Sequence, residues 1–322
     1  MISVNQQAAK IVEEMIAHAE SLGIQVFKLP SGAQVLDLGV QAPGGLQAGK
    51  YMAEVCMGGL GQVTFLPLQF GDYWLPGVGV SVDYPAIGCM AAQYAGWAIK
   101  REKYFAMGSG PARALAVVEK LYEKLAYRDS ADVAVIVLEG RQLPTDEVAN
   151  YIAGKCGINP TNLMVLIAPT ASVAGSIQIS ARVVETGLHK MVELGFDVRQ
   201  IVSGYGTAPI ATVDKDDLHA IGRTNDCILY SGQVYYTVRA DDAALATLVE
   251  RIPSSASNDY GQPFYRLFKQ YGDFYKIDPL LFSPAQVTIN NLTSGKIYRA
   301  GRLNADVLGA SLLGLERGTP AT

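Results

Sequence analysis

The sequence predicts an α/β protein in which parallel or mixed sheets are covered by helices. Short apolar runs alternate with helical periodicity between residues 133 and 191, which favours parallel strands joined by crossover helices. The 322 residues suffice for two domains, and apolar residues make up 49% of them, enough for a sizeable core. We expect one α/β domain over residues 1–129 and another over 130–322, either of which can send its last segment back to the other.

The N-terminal part of the chain predicts a helix, short strands and glycine-rich loops. Ser3 or Asn5 can cap a first helix to about Ser21, because apolar residues recur there at helical spacing. The later segments are strands at Gln25–Leu29 and Ala33–Val40, a short helix between glycine patches at Ala42–Gly49 and Met57–Gly61, β segments within Gln62–Val82 around a turn at Gly71–Asp72, a helix at Ala86–Trp97, a strand near Ala98–Phe105, and a helix that follows Met107–Arg113 and runs to about Tyr127.

The C-terminal part has the clearer alternation. A strand at Val133–Leu138 precedes a helix that begins at Pro144–Thr145–Asp146 and ends at Gly157, and a strand at Leu163–Ile167 precedes a helix from about Val173 to Met191. The remaining predictions are a loop-rich region at Ser203–Pro209, a hairpin of Cys227–Tyr230 with Gln233–Arg239, a helix to Ile252, a helix after Gly261, and a β pair around Thr293–Ser294–Gly295.

Two glycine-rich stretches are candidate binding loops. Gly58 and Gly59 let backbone N–H groups approach a ligand or another backbone. Ser109 and Gly110 precede a predicted helix, where unsatisfied N–H groups and the helix dipole favour an anion. Tight packing is the commoner reason for such glycines, and neither stretch matches a GxGxxG or GxxxxGK[ST] nucleotide pattern.

The helix predicted from Val173 carries the best catalytic candidates. Gln178, Arg182, Glu185 and His189 follow one another at intervals of four, three and four residues, which aligns them along one stripe. An exposed Arg–Glu pair at this spacing contributes only about 0.2–0.5 kcal/mol. Such a pair is by itself more typical of a solvated helix face than of an active site.

Composition argues against several classes of protein. The net charge of -4 without any Lys/Arg block predicts no nucleic-acid partner. The chain lacks an apolar run of membrane-spanning length, and its N-terminus does not resemble a signal peptide. We therefore expect a cytoplasmic protein without a membrane partner.

Metal and nucleophilic chemistry find little support in the sequence. The cysteines lie far apart and form no CxxC pair, so buried, reduced thiols are expected. The three histidines form no HxxxH, HExxH or HxH pattern, so no metal site is expected. A GxSxG nucleophile elbow is also missing. These residues are Cys56, Cys89, Cys156 and Cys227, and His18, His189 and His219.

Arginine, carboxylate and amide groups supported by glycine loops remain. Such groups can orient a polar heterocycle and a water molecule, and a carboxylate can accept the proton of that water. They are sufficient only for a strongly electrophilic substrate. An amidinium-like cation meets this condition, because its carbon needs no Lewis acid to be attacked.

Several blocks of sequence resemble methenyltetrahydromethanopterin cyclohydrolase. The likeness runs from SVNQQA at Ser3–Ala8 to LNADVL at Leu303–Leu308, in one order along the chain. The other blocks are EVCMGGL at Glu54–Leu60, YFAMGSGPARAL at Tyr104–Leu115, SIQISARVVETG at Ser176–Gly187, IGRTNDCILY at Ile221–Tyr230 and DFYKIDP at Asp273–Pro279.

The resemblance implies two α/β domains enclosing a pocket, assembled as a homotrimer. It implies reversible hydrolysis of the methenyl cation of tetrahydromethanopterin to the formyl form, without metal or prosthetic group. The family's water-activating Arg and Glu match Arg182 and Glu185, so Glu185 is expected to accept the proton and Arg182 to orient the water or the carboxylate. Candidates for contacts to the pterin or its phosphate are Gly58, Gly59, Ser109, Gly110, Arg223, Thr224 and Asn225.

Tyr94 is a visible departure from the family pattern. Archaeal members have a lysine at this position, whereas this chain reads AAQYAGW. Together with a charged fraction of only 17%, the difference favours a mesophilic methylotroph that oxidises formaldehyde, with a variant pterin. The alternatives are a cyclohydrolase acting on a methenyl-folate and a non-catalytic pterin-binding protein.

Overall fold

The computed structural model describes residues 2–70, 73–272 and 276–314. The predicted turn at Gly71–Asp72 and the first three residues of Asp273–Pro279 lie outside this part of the chain. The strands are β1 (Gln25–Lys28), β2 (Gln34–Asp37), β3 (Gly61–Phe70), β4 (Tyr73–Val82), β5 (Trp97–Arg101), β6 (Tyr104–Ser109), β7 (Ala134–Glu139), β8 (Leu163–Ala168), β9 (Ile201–Pro209), β10 (Gln233–Val238), β11 (Gln286–Asn291) and β12 (Ile297–Gly301).

Helices connect and cover these strands. Ser3 caps the helix that begins at Val4, as predicted, since its side chain accepts from the N–H of Gln6. Thr145 caps the helix that begins at Asp146. The helices are α1 (Val4–Ala17), α2 (Ala19–Leu22), α3 (Leu46–Cys56), a π-helix (Ala86–Gln93), α4 (Ala112–Ala116), α5 (Tyr122–Leu125), α6 (Asp146–Cys156), α7 (Val173–Ser180), α8 (Val183–Glu193), α9 (Asp217–Ser231), α10 (Asp242–Val249), α11 (Phe264–Tyr271) and α12 (Ala305–Leu312). Within the described ranges, none of the helices is long and apolar enough to cross a membrane.

The chain divides into two compact units. Unit 1 comprises the chain up to Gln62 together with Ala86–Gln178, and unit 2 comprises Val63–Pro85 together with the chain from Ile179 onwards. The predicted boundary at 129/130 therefore lies inside unit 1, because β6 and β7 pair across it. The segment Val63–Pro85, with most of β3 and all of β4, belongs to unit 2 although it is flanked in sequence by unit 1. The segment that crosses to the other unit is thus an internal one and not a terminal one.

Each unit contains one mixed six-stranded sheet, which confirms the predicted fold class. Sheet 1, in unit 1, has the order β1-β2-β8-β7-β6-β5. Its three adjacent strands β2, β8 and β7 are parallel to one another, and the sheet is otherwise antiparallel where β1 pairs with β2, β6 with β7, and β5 with β6. Sheet 2 has the order β12-β11-β10-β9-β4-β3, with β10 and β11 parallel and β9 antiparallel to both β4 and β10.

The parallel strands of sheet 1 have an apolar core on each face. Side chains alternate along a strand, so Ile136 and Leu138 of β7 join the cluster that includes Ile152 of α6. Val135 and Val137 point the other way and join the cluster that includes Met52 of α3. Burial on both faces explains the nearly continuous apolar sequence of these strands.

Several predicted elements are wrong. The helix predicted to follow Arg113 and run to about Tyr127 is interrupted, since α4 ends at Ala116, Val117 has a left-handed backbone conformation, and α5 begins at Tyr122. Cys227–Tyr230 belongs to α9 rather than to a strand, and Ser203–Pro209 belongs to β9 rather than to a loop. The strand predicted near Ala98–Phe105 is a hairpin of β5 and β6. The helix predicted from Val173 to Met191 is interrupted, since α7 ends at Ser180 and α8 begins at Val183.

Asp226 joins three helices of unit 2 and gives the fold a pH dependence. Its carboxylate, fully buried on α9, accepts from the N–H of Phe264 at 2.9 Å and from the hydroxyl of Ser311 at 2.5 Å. Burial raises the pKa of Asp226 to about 7, against the opposing effect of these two hydrogen bonds. At pH values between the pKa of this carboxyl in the unfolded protein and about 7, Asp226 is therefore protonated in the folded state and ionised in the unfolded state.

Asp226→Asn is expected to make the protein more stable at pH 8 and nearly unchanged at pH 4. Asparagine mimics the protonated acid at every pH. The free energy of unfolding of the wild type, in contrast, falls by about 2–4 kcal/mol as the pH rises through this window. Urea unfolding at the two pH values measures the difference. Asp132→Asn, at an exposed aspartate, should have little effect at either pH. A destabilised Asp226→Asn at pH 8 would contradict a neutral, buried carboxyl.

Candidate active site

The interruption between α7 and α8 places Arg182 and Glu185 at the start of a helix. The N–H of Arg182 donates to Ile179 at 2.9 Å, a tight turn, and its carbonyl accepts from the N–H of Thr186 at 2.8 Å. Arg182 is thus the N-cap of α8, and Glu185 lies in its first turn. A carboxylate at this position is stabilised by the helix dipole.

Both side chains are buried, contrary to the solvated helix face that the spacing alone suggested. Arg182 is 7% exposed and Glu185 is 4% exposed. Their nearest charged atoms, Nη1 and Oε2, lie 3.9 Å apart. Burying two charges costs several kcal/mol per ion unless they are well compensated, so this pair is not surface decoration.

Glycines of β9 let the start of α8 lie close to sheet 2. A Cβ atom at Gly204 would lie 2.7 Å from Val184 Cγ1, and one at Gly206 would lie 2.9 Å from Val183 Cγ1. No real Cβ contact is that short, so a side chain at either position would move the helix or its neighbours. The "loop-rich" sequence SGYGTAP is therefore a strand with glycine at its inward positions.

Tyr236 fixes the same turn from β10. Its hydroxyl is fully buried and donates to the carbonyl of Val184 at 2.7 Å. A Cβ atom at Gly187 would overlap that hydroxyl. The glycine that ends the motif SARVVETG is thus required by a hydrogen bond from the sheet.

Gly187→Ala is expected to destabilise the protein by about 1–3 kcal/mol through overpacking, and less in a Tyr236→Phe background. Removing the hydroxyl leaves the added methyl against the ring carbon Cζ at 3.2 Å, a tight but tolerable contact. Chemical denaturation of both single variants and the double variant measures the coupling. Simple additivity of the two free-energy changes would show that the hydroxyl does not set the space at Gly187.

The other two members of the predicted stripe are not equivalent to the pair. Gln178 is buried in unit 1, where the thiol of Cys56 approaches its Oε1 at 3.8 Å. His189 is half-buried, and its Nε2 lies 3.7 Å from Glu193. Burial lowers the pKa of His189, so the neutral imidazole is favoured.

Gly58 and Gly59 have a structural explanation. Both have positive φ, +66° and +70°, at the end of α3, where their N–H groups bond to Val55 and Glu54. A Cβ atom at Gly58 would also lie 2.5 Å from Val4 of α1. The packing alternative is sufficient for these glycines, and contact with a substrate stays a prediction.

Ser109 and Gly110 are held by unit 1. The Ser109 hydroxyl is buried 3.5 Å from the thiol of Cys56, and the N–H of Gly110 donates to Ala92 at 2.8 Å. The following helix α4 has only five residues, and its Arg113 turns inward to a carbonyl of the π-helix and to the carboxylate of Glu119. The ring of Tyr94 lies 5.1 Å from this guanidinium.

Arg223, Thr224 and Asn225 lie within α9 and not at the entry of a strand. Thr224 Oγ1 and Asn225 Nδ2 donate to carbonyls of the preceding turn, as polar side chains inside helices often do. Arg223 contacts Thr212 at 3.1 Å and forms an ion pair with Asp214 at 2.9 Å. Their role as pterin contacts stays a prediction.

A family model described as Cyclohydrolase (MCH) matches residues 3–312. The chain belongs to this family. It is 50% identical over 318 residues to a protein of Methanocaldococcus jannaschii named methenyltetrahydromethanopterin cyclohydrolase, covering 97% of this chain and 98% of the relative. Relatives with the same name come from Methanospirillum hungatei, 50% identical over 309 residues (95% and 98% covered), and Methylobacillus flagellatus, 46% identical over 310 residues (96% and 95% covered). The resemblance seen in the sequence blocks is confirmed.

One group of side chains in this cyclohydrolase-family chain has the composition of a metal site. Asp214, Asp216 and His219 offer ligand atoms within 4.8 Å of one another, as judged over the described ranges. Each has another explanation: Asp214 pairs with Arg223, and Asp216 caps α9 while contacting His219 Nδ1 at 2.7 Å. A cation would have to displace these contacts.

Polar residues at the carboxyl ends of the parallel strands in this MCH-family fold were not among the predicted site residues. Asp37, at the end of β2, is fully buried and accepts from the N–H groups of four residues in the next loop, Gly39, Val40, Gln41 and Ala42. Glu139 ends β7 and accepts from the hydroxyl of Thr170, just after β8. The available signal was their place directly after apolar runs, where parallel strands bring their ends together.

Proposed function

We propose that this protein hydrolyses the methenyl-tetrahydromethanopterin cation to formyl-tetrahydromethanopterin, reversibly. The observation that carries the proposal is the buried pair of Arg182 and Glu185 in a chain of the cyclohydrolase family. A pair buried at the start of α8, and backed by Gly204, Gly206 and Tyr236, is preorganised for chemistry rather than for solvation.

In the proposed reaction, water attacks the amidinium carbon of the substrate. Glu185 accepts the proton that the water loses, and Arg182 orients the water or the carboxylate. A water molecule can bridge Nη1 and Oε2 across their 3.9 Å separation, since this distance exceeds that of a direct hydrogen bond. One C–N bond of the tetrahedral adduct then breaks, its nitrogen gains a proton, and the hydroxyl becomes the formyl oxygen. One proton is released overall.

The amidinium carbon is already electrophilic, so the proposed reaction calls for no prosthetic group. We further propose a homotrimer that acts on a pterin in the cytoplasm, during one-carbon metabolism and specifically formaldehyde oxidation in a methylotroph. The support for a reducing compartment is that all four cysteines are buried and outside any disulfide. The low charged fraction of 17% and Tyr94 support the methylotroph.

The test is the loss of ultraviolet absorbance when the purified protein meets each methenyl compound. Rapid hydrolysis of methenyl-tetrahydromethanopterin, with a much lower kcat/KM for methenyl-tetrahydrofolate, is the expected result. A preference for the folate would replace the proposed substrate. Tight binding of either compound without turnover would instead indicate a non-catalytic pterin-binding protein.

A further inference from the structure

The chain leaves the carboxyl ends of β7 and β8 in opposite directions. After β7 it enters α6, whose Val148, Ile152 and Cys156 pack on one face of sheet 1. After β8 it enters α7, whose Ala174 packs on the opposite face. Because β7 and β8 are neighbouring parallel strands, this is a topological switch point, and loops that diverge there leave a crevice.

A carboxylate stands at this switch point. Glu139 is the last residue of β7, pairs with Ala168 of β8, and is partly exposed. Its Oε1 accepts from the hydroxyl of Thr170, which is only 3% exposed. None of the residues within the described ranges donates to Oε2 of Glu139.

The loop after β8 is held rigidly. The hydroxyl of Ser172 donates to the carbonyl of Pro169 at 2.7 Å and accepts from the N–H of Gly175 at 3.0 Å. The adjoining loop after β2 packs against it, since a Cβ atom at Gly39 would lie 2.8 Å from Ser172 Cβ. Asp37 pins that second loop through its four backbone hydrogen bonds. Thr170 therefore presents its hydroxyl to Glu139 from a preorganised backbone.

We propose that Glu139 is a specificity-determining residue that binds the 2-amino-4-oxopyrimidine edge of the pterin at this switch point. The inference rests on the proposed function for the nature of the substrate. The 2-amino group and N3–H of a pterin are two parallel donors, and a carboxylate offers two parallel acceptors. Thr170 fixes the plane of the carboxylate by donating to Oε1, which retains a second lone pair for the ligand.

Glu139→Gln is the first test, because it keeps the shape and replaces one acceptor by a donor. With methenyl-tetrahydromethanopterin we expect KM to rise about tenfold to a hundredfold and kcat to change little, since the contact is the same in ground and transition states. Glu147→Gln, at an exposed carboxylate in the first turn of α6, removes the same charge and should leave KM unchanged. Equal KM values for these two variants would overturn the proposal.

A ligand pair provides a readout that a merely structural residue would not move. In 6-methyltetrahydrolumazine an oxo group replaces the 2-amino group of 6-methyltetrahydropterin, so a donor becomes an acceptor. Calorimetry should show that the wild type prefers the pterin and that Glu139→Gln loses or inverts this preference, because the glutamine amide can donate to the oxo group. Unchanged selectivity would contradict the proposal.

Two further variants decide the question if Glu139→Gln does not fold. Thr170→Val should weaken the pterin preference by several-fold, and Thr170→Ser, which keeps the hydroxyl, should restore it. Failure of both effects would overturn the inference. Pterin selectivity that depends on Glu139, without turnover of the methenyl compound by the wild type, would instead reject the proposed function and leave this site standing.

Discussion

Glu185→Gln is expected to lower the turnover of methenyl-tetrahydromethanopterin by about 10²–10⁴-fold, the typical contribution of a positioned base. Glutamine retains the size of the side chain in its buried place at the start of α8, so the protein should still fold. It cannot accept the proton of the attacking water. Initial rates from the loss of ultraviolet absorbance, with circular dichroism as a check on folding, measure the effect.

Two variants of the same helix sharpen this test. Glu193→Gln removes a charge from an exposed position of α8 and should have near-normal activity. Arg182→Lys should cause a substantial partial loss, because an ammonium group lacks the planar fork of the guanidinium. Near-normal turnover by Glu185→Gln, or a similar loss in Glu193→Gln, would remove Glu185 from the mechanism.

Arg113→Met is expected to destabilise the protein by about 3–5 kcal/mol, as when one partner of a buried ion pair is removed. The guanidinium is fully buried and contacts Glu119 through two hydrogen bonds of 2.8 and 3.1 Å. It also donates to the carbonyls that end the π-helix, the shortest contact being 2.9 Å to Ala92. Methionine would leave the carboxylate of Glu119 without this donor, and the carbonyl of Ala92 would keep only the N–H of Gly110.

Urea unfolding followed by circular dichroism measures this loss. Arg128→Met, at an exposed arginine, is the matched control and should change the unfolding midpoint little. Arg113→Met/Glu119→Gln should recover part of the stability, since the second change removes the uncompensated carboxylate. A midpoint for Arg113→Met equal to that of the control would show that the buried network contributes little.

The sequence predicted the mixed α/β class because the alternation between residues 133 and 191 is local. It failed where tertiary packing decides. Cys227–Tyr230 is apolar enough for a strand, but its residues form the buried face of α9 against α11 and α12. The end of α7 was also invisible, because the tight turn of Arg182 onto Ile179 leaves the helical spacing of apolar residues almost intact.

In the candidate site, some features could be predicted from the sequence and others could not. The spacing of Arg182 and Glu185 placed them near each other, while their burial depends on a sheet formed by residues distant in sequence. Gly58 and Gly59 were predicted as a candidate binding loop, yet they are explained by positive φ and by the contact of Gly58 with Val4, which no local pattern records. Glu139 and Thr170 are 31 residues apart, and only the pairing of β7 with β8 brings them together.

The alternating glycines of β9 give this strand two classes of position. Inward positions 204 and 206 accept no Cβ atom without moving α8, whereas Tyr205 between them is 49% exposed. A library of random variants screened for cyclohydrolase activity should therefore tolerate change at Tyr205 and reject it on either side. The same library screened only for soluble expression should accept more substitutions at positions 204 and 206 than at apolar core positions. Positions that reject substitution in the first screen but accept it in the second are those needed to place α8 correctly and not to fold the protein.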